Sequence, residues 1–225
     1  ASTSADVVAA LDSSGLMNAP TQGLNLMGPD TARSIGQAYS DICSKFPFLA
    51  GNIGRANCSR LGSSTYGQCS MSRGAIDFNT KYYGRGNEAS FAASFSNCIA
   101  TQFHPQGVMS KGAAYAVASH ELGHAIEGRL EKLMKAAGVD TTEKRKKRYF
   151  ISGRVMDKAL SNLSLQNDPL VIKKELSDYA NTDSAEFFAE AVSEYLCSPS
   201  PRPVAAEVGK ILERFMKNDF SDLGI

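Results

Sequence analysis

The stretch Ser119-His120-Glu121-Leu122-Gly123-His124-Ala125 places two histidines four residues apart, with a glutamate directly after the first. On an α-helix, positions i and i+4 lie on one face, so both imidazoles can grip one cation. Neutral imidazole suits Zn²⁺, and Glu121 reaches the same side, where a carboxylate can take a proton from a metal-activated water. The chain has only three histidines, His104, His120 and His124, so two of them at this spacing is a strong signal.

The surrounding residues predict the helix that the motif needs, over about 111–137. Tyr115, Val117, Ile126, Leu130, Leu133 and Met134 keep helical spacing, and Gly138 ends the run. Gly123 costs about 1 kcal/mol relative to alanine inside a helix, so close packing or the metal must demand a small residue there. Upstream, Val7, Val8, Ala10 and Leu11 give a short amphipathic pattern. Pro29 and Asp30 open a second helix that Pro47 stops. The glycine- and serine-rich region 51–74 reads as loops with short strands. Ser64–Cys69 is one candidate strand and Ala75–Asn79 another, while Glu88–Thr101 fits a helix better than a strand. Phe103-His104-Pro105-Gln106-Gly107 reads as a turn. Downstream, helices are expected from Thr142 to about Leu165, after Pro169, from Asp183 with a capping-box pattern, and after Pro203.

These elements predict an α+β fold, mostly helical, with a small sheet in the first half. The chain is expected to form one catalytic domain over 1–225. Its parts are an N-terminal helical and loop segment (1–63), the small sheet with the active-site helix (64–137), and a helical part (138–225) bearing the third metal ligand. At 225 residues and net charge +1, nothing global argues for nucleic acid, membrane or acidic substrates. No apolar run approaches the ~20 residues that span a bilayer. From Ala1 no signal peptide is visible, although a processed or excised fragment would look the same. Five cysteines without C-x-x-C spacing suggest reduced, mostly buried thiols, with one or two disulfides within Cys43–Cys98 as the alternative. The basic run Lys144–Arg148 reads as a solvated helix face before it reads as a nucleic-acid contact.

A catalytic zinc site wants three protein ligands and an open position. His104 is one option for the third, but a plain turn residue is the better reading of it. A carboxylate from a later helix is favoured. Glu186 and Glu190 stand four apart on one helical face among Phe187, Phe188 and Ala189, where an unpaired charge would be very costly. Glu186 can alternatively be read as part of the helix cap.

The segment Tyr179-Ala-Asn-Thr-Asp-Ser-Ala-Glu186-Phe-Phe-Ala-Glu190-Ala-Val, following H-E-x-x-H, closely resembles that of the anthrax lethal factor-like zinc peptidases. That group includes the bacterial proline–proline endopeptidases. The resemblance implies a zincin-like fold with Zn²⁺ held by His120, His124 and Glu186. It also implies Glu121 as general base, Glu190 supporting a zinc-binding histidine, and Tyr179 pointing at the substrate carbonyl. The 61 residues between His124 and Glu186 look longer than that family's core needs, which implies an insertion. A weaker resemblance, through Ile76–Tyr83 and Phe103–Gly107, is to zincin-like regions of bacteriophage minor head proteins.

The expectation is therefore a zinc metalloendopeptidase acting on a protein or peptide substrate, with Ala75–Asn79 as the edge strand that binds it. Phage structural proteins would be further partners in a virion setting. The location would be cytoplasmic or virion-associated, or secreted for a toxin or effector protease. The rivals are an assembly domain that keeps the fold without proteolysis, and a nucleic-acid binder using Lys144–Arg148.

Overall fold

The computed structural model describes residues 3–141, 149–217 and 219–221. In chain order its elements begin with α1 (Ser4–Ser13) and α2 (Pro29–Lys45), then β1 (Ala56–Ser59), β2 (Gly67–Ser70) and β3 (Ala75–Asn79). Next come α3 (Thr80–Tyr83), α4 (Glu88–Ala100) and α5 (Ala113–Ala136). The last four are α6 (Phe150–Asn162), α7 (Pro169–Glu175), α8 (Ser184–Cys197) and α9 (Pro203–Phe215). The architecture is α+β, mostly helical, with one three-stranded sheet.

Local chemistry sets the helix starts. Thr3 and Asp6 close a reciprocal capping box on α1, and Pro29 occupies the first turn of α2, where its missing N–H costs nothing. At α8 only half of the anticipated box forms. The Asp183 side chain accepts the Glu186 N–H at 3.0 Å, while the Glu186 carboxylate turns away toward the histidines. Asp183 is the cap, which leaves the Glu186 side chain unconstrained by it.

The strand order is β1-β3-β2, with β1 parallel and β2 antiparallel to β3. This corrects one expectation. Ala75–Asn79 is the central strand, hydrogen-bonded on both sides, and cannot receive a substrate by strand addition. The edge beside α5 is β2, which starts at Gly67, so Ser64–Tyr66 of the expected strand lie outside it. Ile76 and Phe78 of β3 are fully buried, and Ala56 and Cys58 of β1 are buried too, so one face of the sheet joins the core.

One hydrophobic core runs from Leu11 to Phe215. Its centre is the contact of α5 with α8, and Gly123 makes that contact possible. A Cβ at 123 would stand 2.8 Å from Ala189 Cα, closer than real Cβ atoms come, and 3.2 Å from Ala189 Cβ, a tight contact. Gly128, a turn further along, gives the same clearance to the Met71 carbonyl at the end of β2. Thus α5 lies against α8 on one side and against the sheet edge on the other. All five cysteines are free. No described helix is long and apolar enough to cross a membrane. The basic run 144–148 lies outside the described residues.

Candidate metal centre

His120, Glu121 and His124 project from the middle of α5, and Glu186 and Glu190 from the first half of α8. Four residues of separation put each pair on one helical face. Because Gly123 lets the helices touch, these faces meet. His120 Nε2 lies 3.1 Å and His124 Nε2 3.3 Å from the same atom, Glu186 Oε2. The ligand atoms of the three residues all lie within 4.8 Å of one another.

This donor set fits a divalent cation. Glu186 Oε2 is buried and has no hydrogen-bond partner, although it faces two ring nitrogens. With metal–ligand bonds of about 2.0–2.1 Å, neighbouring corners of a tetrahedron stand about 3.3 Å apart, close to both spacings from Glu186 Oε2. Two imidazole nitrogens and one carboxylate oxygen are also what zinc takes in catalytic sites that keep one position open.

The charges point the same way. Burial opposes ionisation of Glu186, yet the contacts with His120 and His124 outweigh it and hold the carboxyl well below the usual range. Burial also disfavours a proton on His120, but Glu186 and Glu190 together push its pKa well above that of a free histidine. The site thus draws a positive charge to the place that a cation would take.

Glu190 forms the next layer. It is 1% exposed, and its Oε1 stands 2.7 Å from His120 Nδ1, a charge contact that lies off the line of an aligned N–H hydrogen bond. Its Oε2 accepts from Ser177 Oγ at 2.8 Å. Burial would raise its pKa, but His104 first and then His120 bring it down to about 2. His104 is therefore not a plain turn residue, as its sequence context suggested. Its ring nitrogen Nδ1 lies 3.1 and 3.3 Å from the two oxygens of Glu190, 86 positions away in the chain.

Glu121 is buried at 5% exposure under the edge of β2. Burial raises its pKa and the Glu186 charge adds to this, while His120, His124 and the Cys69 N–H counteract them. Gly67 makes room for it, since a Cβ there would come within 3.0 Å of both Cγ and Oε1 of Glu121. The Tyr179 hydroxyl donates to Glu186 Oε1 at 3.2 Å, on the other oxygen of the carboxylate that faces the histidines. Burial and the neighbouring Glu186 push its pKa up, so it remains a donor throughout the neutral range.

A cavity of about 280 Å³ opens beside these groups, walled by Tyr66, Phe95, Phe103, Val108, Val117 and Tyr179, with His120 and Glu121 at its edge. The structure therefore brings together every residue singled out in the sequence: His120, Glu121, His124, Tyr179, Glu186 and Glu190. Sequence reasoning missed Ser177, Gly67 and the role of His104. Only His104 carried a signal, as the one histidine left after the motif. Compared with known proteins, the chain matches no family model, no curated protein and no solved structure.

Proposed function

We propose that this chain is a zinc-dependent endopeptidase of zincin-like fold, with His120, His124 and Glu186 holding the metal. The observation that carries the reading is the buried Glu186 Oε2, unbonded and 3.1 and 3.3 Å from two imidazole nitrogens, with the buried carboxylate of Glu121 beside them. Zinc, when bound, would supply Lewis-acid chemistry, polarising a peptide carbonyl and acidifying a water.

The chain's own residues do the rest. Glu121 takes the proton of the attacking water and returns it to the leaving amine; burial raises its pKa toward the range useful for that exchange. The Tyr179 hydroxyl, which here donates to Glu186 Oε1, would donate instead to the carbonyl oxygen of a bound peptide as charge develops. Glu190 orients His120 through Nδ1, leaving Nε2 as the metal-facing nitrogen. An extended peptide would pair with the outer side of β2, and the aromatic-walled cavity would take an apolar side chain next to the scissile bond.

The test joins metal analysis to cleavage of a peptide library by the wild type, Glu121→Ala and chelator-treated protein. One zinc per chain is expected, with cleavage lost in both treated samples. Cleavage that survives the loss of Glu121 would sink the mechanism. Absence of stoichiometric zinc, with Glu186→Ala behaving like wild type, would sink the site.

A further inference from the structure

His104 lies on the loop after α4 and takes no part in the proposed ligand set, yet its ring is held on several sides by groups other than Glu190. It stacks on Phe95 with centroids 5.2 Å apart and planes 26° apart, and meets Phe103 and Tyr179 edge-on at 5.0 and 5.5 Å. The loop backbone is tied as well. Asp178 N–H donates to Gln102 O at 2.8 Å and Tyr179 N–H to Phe103 O at 3.0 Å. His104 would keep its place without Glu190.

The converse does not hold. The Glu190 carboxylate ends a side chain with a soft terminal torsion and, at 1% exposure, is shut off from bulk solvent. Two groups from outside the metal pair set its plane: His104 Nδ1, which spans both oxygens, and Ser177 Oγ on Oε2. With the plane set, Oε1 faces His120 Nδ1 at 2.7 Å and favours a proton on that nitrogen, which leaves Nε2, 3.1 Å from Glu186 Oε2, as the nitrogen that would meet a cation.

Resting on the metal-centre reading above, we infer that His104 is a positioning residue of that centre, holding His120 in its ligating orientation through Glu190. The three histidines of the chain then serve one site, two as ligands and one behind them.

The test compares wild type, His104→Phe and His104→Asn by zinc affinity in chelator competition and by the visible spectrum of the cobalt-substituted protein. Phenylalanine keeps the stack on Phe95 and removes the N–H, whereas asparagine keeps a donor near the place of Nδ1. His104→Phe is expected to weaken zinc binding about 10- to 100-fold and alter the cobalt spectrum, with His104→Asn recovering most of both. Should the phenylalanine variant fail to fold, His104→Gln, whose amide extends toward the Nε2 position, carries the same expected loss. Wild-type affinity and spectrum in His104→Phe would overturn the inference, and so would equal losses in the asparagine and phenylalanine variants. A wild-type chain that takes up no stoichiometric zinc overturns the metal centre itself, and the inference with it.

Discussion

Replacing Gly123 by alanine tests whether the approach of two helices creates the proposed metal centre. The new Cβ would lie 2.8 Å from Ala189 Cα, 3.2 Å from Ala189 Cβ and 3.4 Å from Val192 Cβ. The closest of these contacts is to backbone, so no rotamer change relieves it. Restoring ordinary contact requires α8 to retreat by about 0.6 Å or more. Glu186 rides on that helix, and its 3.1 and 3.3 Å spacings to the histidines would lengthen by a similar amount. Ligand distances tolerate only about 0.2 Å, so zinc affinity should fall by at least 10-fold. Stability should change less. Overpacking costs about 1–3 kcal/mol, and the helix propensity of alanine returns about 1 kcal/mol of it. Chelator competition gives the affinity and thermal unfolding of chelated protein gives the stability. Adding Ala189→Gly removes only the 3.2 Å contact, so the double variant should recover part of the loss. A Gly123→Ala protein that binds zinc like wild type would refute the geometric argument.

Two further outcomes follow from the same neighbourhood. Gly67→Ala puts a Cβ 3.0 Å from Glu121 Oε1 and should lower kcat about 10-fold or more while leaving zinc affinity near wild type, read by steady-state cleavage alongside chelator competition. Glu127, 1% exposed on α5, has its pKa raised to about 7 by burial, against which the bond from Ser152 N–H and the His124 charge only partly act. The folded chain then binds this proton more tightly than the unfolded one. Its stabilising contribution is complete below about pH 4.5 and is lost as pH rises to about 7, a change of about 3 kcal/mol at most. Denaturant unfolding of chelated protein from pH 4.5 to 8 should show that slope in wild type and a flatter one in Glu127→Gln; equal slopes would refute it.

The sequence made α5 and α8 legible because their apolar residues repeat at helical spacing, and it made the candidate ligands legible because i and i+4 fix a shared face. Gly123 could be flagged as needing a reason, but the reason, Ala189, lies 66 positions away. Strand order was not legible. Ala75–Asn79 has the better alternation because it is central, with Ile76 and Phe78 in the core, whereas the cleft edge Gly67–Ser70 is short and polar. β1 was hidden for a similar reason, lying in a glycine- and serine-rich region with only two of its four side chains buried. The contact of His104 with Glu190 joins a loop to a helix across 86 positions, a distance over which no local pattern carries information. The capping signal at Asp183 and Glu186 was half right: the local motif could supply the cap, but the histidines decided where the second carboxylate went.

The proposed ligands His124 and Glu186 are separated by 61 intervening residues, although they meet across one helix contact. An ion gripped by both would act on the chain as a cross-link, closing that long loop. For a permanent link of this length the unfolded state loses entropy worth on the order of 4 kcal/mol. A reversible link contributes according to its occupancy. On the proposed reading, removing the ion would therefore lower the stability of the folded chain as well as empty the site.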